Sequence, residues 1–130
     1  VKIMAENAPT DIRITVETRY IPEQSSPEQA HYSFAYQITI ENHGPQTAQL
    51  LNRHWIITDA EGHIQEVKGP GVVGEQPTLQ PGQRFRYSSG SVLSTAVGSM
   101  HGSYEWITAD GETFESPIPA FRLAVATVFH

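Results

Sequence analysis

The chain has 130 residues, no cysteine, and a net charge of −6 from 8 Lys plus Arg against 14 Asp plus Glu. That length suits one domain with a core that needs no staples, and the missing cysteines exclude a disulfide framework and a thiolate metal site. The basic residues are scattered and form no run, which disfavours nucleic acid and an anionic membrane surface as partners, since both need clustered cations.

Elements follow in chain order. The opening VKIMAENAPT lacks the apolar core of a secretory signal, and no apolar run approaches the roughly 18 residues of a membrane-spanning helix. A cytoplasmic location is expected. Residues 1–10 are expected to form a flexible N-terminal segment, and 11–130 a single domain. From Ile12, apolar residues alternate with polar ones through Ile14, Val16, Thr18 and Tyr20. A second run, Tyr32, Phe34, Tyr36, Ile38 and Ile40, alternates more cleanly. Period two predicts strands with one buried face. The polar, proline-bearing stretch between them (22–30) is a loop. After the turn at Asn42-His43-Gly44-Pro45, a third strand is expected over 46–58, with a bulge where the pattern slips at Leu50-Leu51.

Asp59 to Gly62 reads as a hairpin turn, and 63–68 as a short fourth strand. A Gly/Pro-rich loop follows over 69–77. A Pro81-Gly82 turn leads into a strand with Phe85 and Tyr87 on one face, and 91–98 looks irregular. A further strand carries Met100, Gly102, Tyr104 and Trp106. The Asp110-Gly111 hairpin returns through Thr113 to Ile118, where Pro117 and Pro119 either end pairing or confine it to an edge. The apolar tail either closes the fold or makes a dimer contact. About seven short strands with turns between them predict an all-β sandwich of the immunoglobulin or fibronectin type III kind. Trp55 on the third strand fits that kind. So does Leu79-x-Pro81-Gly82-x-x-Phe85, a tyrosine corner with Phe in the tyrosine's place.

Three groups of residues could carry function. Gly69-Pro70-Gly71-Val72-Val73-Gly74 matches G-x-G-x-x-G, but no helix follows to form a dinucleotide fingerprint. The same loop could hold phosphate as a backbone nest built on Gly69, Gly71 and Gly74, with Lys68 adding charge. Pro70 brings no N–H to such a nest. Val72 and Val73, apolar in a glycine loop, are expected to be exposed and to touch a protein partner. His54 and His63 could meet across the hairpin with Asp59 nearby, making a divalent-metal site. No metalloprotease or nucleophile-elbow spacing is present. No catalytic residues and no cofactor are expected.

The stretches Arg53 to Asp59 and Glu66 to Pro77, the Pro81-Gly82 turn with Tyr87-Ser88-Ser89-Gly90, Met100 to Tyr104, and Ile118-Pro119-x-Phe121-x-Leu123 together resemble the ApaG (CorD) family. The resemblance runs from about Ile12 to the C-terminus. It implies a fibronectin type III-like sandwich, a link to cobalt and magnesium tolerance, and a gene neighbourhood with a diadenosine tetraphosphate hydrolase. It also implies kinship with partner-binding domains in F-box and DNA polymerase delta-interacting proteins. The expected role is a non-catalytic interaction module acting on a protein partner. The alternatives are a binder of pyrophosphate or a dinucleoside polyphosphate at the glycine loop, and a direct divalent-metal binder.

Overall fold

The computed structural model describes residues 10–125; all but the last residue of the expected N-terminal segment, and the end of the apolar tail, lie outside them. Alternating residues build eight strands: β1 (Ile12–Tyr20), β2 (Tyr32–Asn42), β3 (Ala48–Asp59), β4 (Ile64–Pro70), β5 (Thr78–Leu79), β6 (Arg84–Leu93), β7 (Val97–Thr108) and β8 (Thr113–Ala124). Seven match the expected strands, and the two-residue β5 is an addition. The loop between β1 and β2 folds as two single 3-10 turns, Pro22–Gln24 and Pro27–Gln29, each begun by a proline whose missing N–H costs nothing there.

All strand pairs are antiparallel. One sheet has the order β1-β2-β6; the other runs β4-β3-β7-β8, with β5 pairing to β3. The two sheets face each other as a sandwich. The inner face of β2 supplies Phe34, Tyr36, Ile38 and Ile40; β3 supplies Leu50, Trp55 and Ile57; and β7 supplies Met100, Tyr104 and Trp106. The expected bulge is present, as a register shift between Leu50 and Asn52.

Two boundaries differ from expectation. Residues 91–98 are mostly strand: β6 extends to Leu93 and β7 starts at Val97. Pairing also runs past the expected end at Ile118 to Ala124, so Pro117 and Pro119 confine pairing to an edge, the second of the two expected outcomes, rather than end it. It can do so because β8 lies at a sheet edge, where the missing proline N–H breaks no ladder bond. The described part of the apolar tail, to residue 125, packs inward, with Leu123 buried and Phe121 against the core.

The corner after β5 is held by a residue that the Phe85 pattern does not reveal. Buried Asn42 donates from Nδ2 to the carbonyls of Gln46 and Leu79 (both 2.9 Å), and its Oδ1 accepts the Gly44 N–H at 2.9 Å. Three hydrogen bonds from one buried amide leave it well satisfied. Phe85 contributes packing only.

Candidate functional site

The sandwich is closed on one flank, where β1 packs beside β8. Between the edges of β4 and β6 it opens into a cavity of about 790 Å³. Tyr36, Trp55, Ile57 and Val67 line its walls, Tyr87, Ser89, Ser91 and Val92 line the β6 side, and Val72 and Val73 reach it from the glycine loop. A second hollow of about 330 Å³ shares Ile57, Gln65 and Val92 with the first and extends it to Ile64 and Asp59.

The glycine loop is a tight hairpin tip. Val72 and Glu75 exchange two backbone hydrogen bonds, of 2.8 and 2.9 Å. Between them Val73 and Gly74 have φ of 42° and 82°. Positive φ at both central residues marks a type I′ turn, which suits the twist of a hairpin. A valine there is an outlier, because a β-branched side chain crowds the left-handed backbone, at a cost of about 1–3 kcal/mol.

Of the two expected contact residues, Val73 is 53% exposed, whereas Val72 is 0% exposed and belongs to the core. Val72 is therefore corrected from surface to core. The cross-bridge to Glu75 turns its side chain inward, and an apolar loop residue beside an open sandwich gains about 1.5–3 kcal/mol by filling it.

As a phosphate nest the loop offers little. The Gly71 N–H donates to the Leu51 carbonyl at 2.8 Å, and those of Val72 and Glu75 are spent on each other. Only Val73 and Gly74 in the 71–75 stretch donate to nothing among the described residues. Lys68 is exposed and lies 3.9 Å from Glu66. The residue that grips the loop is Arg53. Its Nη1 donates to the carbonyls of Pro70 (2.9 Å) and Gly71 (3.1 Å). Gly69 permits this, since a Cβ there would stand 3.0 Å from the same nitrogen.

The histidines do not converge. His54 pairs in register with Lys68, and Thr58 with Ile64, so about 13 Å of strand separates His54 from the turn that holds His63. His54 bonds to Glu66, and His63 Nδ1 lies 3.2 Å from Asp59. No group of three or more His, Asp or Glu among the described residues is placed to hold a metal. Asp59 is instead the hub of the turn. Its Oδ1 accepts the backbone N–H of Glu61 and of His63, each at 2.9 Å, and Oδ2 accepts the Ser94 hydroxyl at 3.2 Å. Burial pushes its carboxyl up, but those backbone donors and the His63 side chain outweigh it and hold the pKa below its ordinary value.

Beside the cavity lie three buried phenols, Tyr36, Tyr87 and Tyr104, the last two hydrogen-bonded to each other. Burial raises all three above the ordinary value near 10. A raised phenol pKa means the folded state holds its proton more tightly than the unfolded chain. The stability this provides is intact below pH 10 and is lost as pH climbs beyond it. Alkaline titration is therefore expected to leave three of the five tyrosines protonated until the fold gives way. The tyrosinate absorbance of those three and the loss of far-UV ellipticity should then share one transition; titration of all five with ellipticity unchanged would refute it.

An all-β sandwich of the fibronectin type III kind, open along one flank, is thus the class of protein. Residues 22–108 match the family model for the ApaG domain. "Protein ApaG" of Acidithiobacillus ferrooxidans (strain ATCC 53993 / BNL-5-31) is 78% identical over 127 residues, covering 98% of this chain and 100% of that one. The protein of the same name from Azotobacter vinelandii is 57% identical over 119 residues, covering 92% and 94%. A crystal structure of an ApaA protein from Bordetella pertussis superposes with a TM-score of 0.89 at 49% identity, covering 92% and 98%. The chain belongs to the ApaG family.

Proposed function

We propose that this domain is a non-catalytic protein-interaction module that docks its partner on the open flank between β4 and β6. One observation carries the reading. The large exposed apolar side chains among the described residues are Ile64 (68%), Val73 (53%) and Val92 (47%), and all three line the two joined hollows of that flank. Isolated exposed apolar residues are ordinary, but a set gathered around one groove is the mark of a contact surface. The strain at Val73 points the same way, since a costly backbone that persists at an exposed position suggests a role beyond folding. We read the link to cobalt and magnesium tolerance that the family resemblance implies as acting through such a partner.

A di- or polyphosphate at the glycine loop has less support, because most of the loop's donors are used internally. Direct metal binding has less still, because His54 and His63 stand apart.

Val73→Asn separates binding from folding. Asn accepts positive φ more readily than Val, so the variant should be more stable by about 1 kcal/mol while losing an apolar contact. Affinity capture from native lysate, quantified by mass spectrometry, should recover a partner with wild type and lose it with Val73→Asn and with Val92→Asp. Partner lists that match across all three proteins would overturn the reading.

A further inference from the structure

How the open flank holds a partner, given the interaction role proposed above, follows from the sheet edges. An edge strand presents unpaired N–H and C=O groups, which folded proteins blunt with charge, proline or cover. Three of the four long edges here are blunted. β1 carries Arg13, Glu17 and Arg19 and lies beside β8. β8 carries Glu115, Pro117, Pro119 and Arg122. β4 is seven residues long and carries Glu66, Lys68 and Pro70. The fourth, β6, has its charges at the start, Arg84 and Arg86; from Tyr87 to Leu93 it reads Tyr-Ser-Ser-Gly-Ser-Val-Leu, with no charge and no proline.

That unblunted stretch borders the large cavity. Along its inner face Tyr87 and Leu93 are buried, but the positions between them are Ser89 and Ser91. Two short side chains leave room against Ile57 and Val67 on the facing sheet. Among the described residues, Arg53 is the only charged side chain lining the cavity of this acidic protein. It has no carboxylate within ion-pair distance among the described residues. Its two bonds to the glycine loop both use Nη1, so its other guanidinium donors have no partner among the described residues. The Trp55 indole N–H likewise has no partner among the described residues. It is not sealed off either, since no buried side-chain polar atom there lacks a hydrogen bond.

We propose that an extended segment of a partner polypeptide adds as a strand to the free edge of β6 over Tyr87–Leu93, with an apolar side chain over Ser89 and Ser91 and a carboxylate against Arg53. Seven residues of edge span about 23 Å, enough for five or six residues of ligand. Main-chain bonds supply affinity, as in other strand additions. The pocket and Arg53 select for an apolar and an acidic residue two positions apart, because both are reached from the inward face of the added strand and strand side chains share a face only at every second position.

The probe is the peptide acetyl-Thr-Val-Thr-Glu-Thr-Val-amide, whose Val and Glu side chains share one face, titrated to millimolar concentration into the full chain labelled with nitrogen-15. Amide shifts and slowed hydrogen exchange should concentrate at Ser88–Val92. Replacing the peptide's Glu by Lys should weaken binding about tenfold, as loss of a charge-assisted pair does. N-methylation at alternate amides should abolish it. Ser89→Leu, which fills the pocket with the protein's own side chain, should weaken binding while the edge stays intact. Shifts that avoid β6, or an N-methylated peptide that binds as well as the parent, would overturn strand addition. If β6 stays silent while lysate capture still depends on Val73 and Val92, the flank is a docking surface of another kind. If β6 responds but capture does not depend on them, the strand site stands and the wider reading falls.

Discussion

Gly71→Ala is expected to lower the unfolding free energy by about 3 kcal/mol, and Gly74→Ala, three residues on in the same loop, by only about 1 kcal/mol. Both glycines have positive φ, +63° and +82°, so both pay the left-handed penalty of an L-residue. They differ in what a methyl group would strike. At position 74 nothing lies within 4 Å, whereas at 71 a Cβ would stand 2.2 Å from the backbone carbonyl oxygen of Glu75. That oxygen accepts the Val72 N–H at 2.8 Å. Moving it breaks the cross-bridge that turns Val72 into the core, and Val72 burial alone is worth about 1.5–3 kcal/mol. Urea unfolding should show the difference as a shift of midpoint at constant slope. Equal costs at the two positions would remove the steric explanation and return the loop's glycines to a ligand-binding role.

Sequence patterning shows the frame of this fold more readily than its site, for a physical reason. β2 buries one face and exposes the other, so alternation is written into Tyr32 to Ile40, and a slip of one residue would turn every core side chain into water. The bulge at Leu50-Leu51 is visible because it breaks that alternation. Val72 is not visible, because its direction depends on a bond between Val72 and Glu75 that no local pattern encodes. Arg53 is missed as a site residue for a similar reason. Its grip on Pro70 and Gly71 spans 17 and 18 residues and exists only once β3 and β4 are in register. That register was partly accessible. If Asp59 and His63 close the hairpin, counting back along both strands sets His54 opposite Lys68, which already separates the two histidines. Asn42 and the small inward pair Ser89 and Ser91 look like ordinary polar strand residues until the sheet opposite them is known.

Trp55 joins the frame to the site, and Trp55→Ala is expected to cost about 3–5 kcal/mol, a large share of the roughly 5–15 kcal/mol of a typical domain. Its indole meets Tyr36 on the opposing sheet at 5.8 Å, and Tyr104 and Phe121 on its own sheet at 6.4 and 5.8 Å, the last two edge-on. Each such pair adds about 0.5–1.5 kcal/mol beyond the area it buries. One effect opposes this: the truncated site would open into the existing cavity, so water could enter and soften the void. Burial decides between them. Trp55 is only 4% exposed although it lines that cavity, so nearly all of its surface touches protein and would be stripped of contacts. Trp55→Phe keeps a ring against Tyr36 and Phe121 and should cost less than half as much, while removing the indole N–H. Fluorescence of the remaining Trp106, buried on β7, reports unfolding in both variants. A Trp55→Ala protein within about 2 kcal/mol of wild type would mean that the aromatic cluster does not tie the two sheets, and that the open flank is held apart by something other than this side chain.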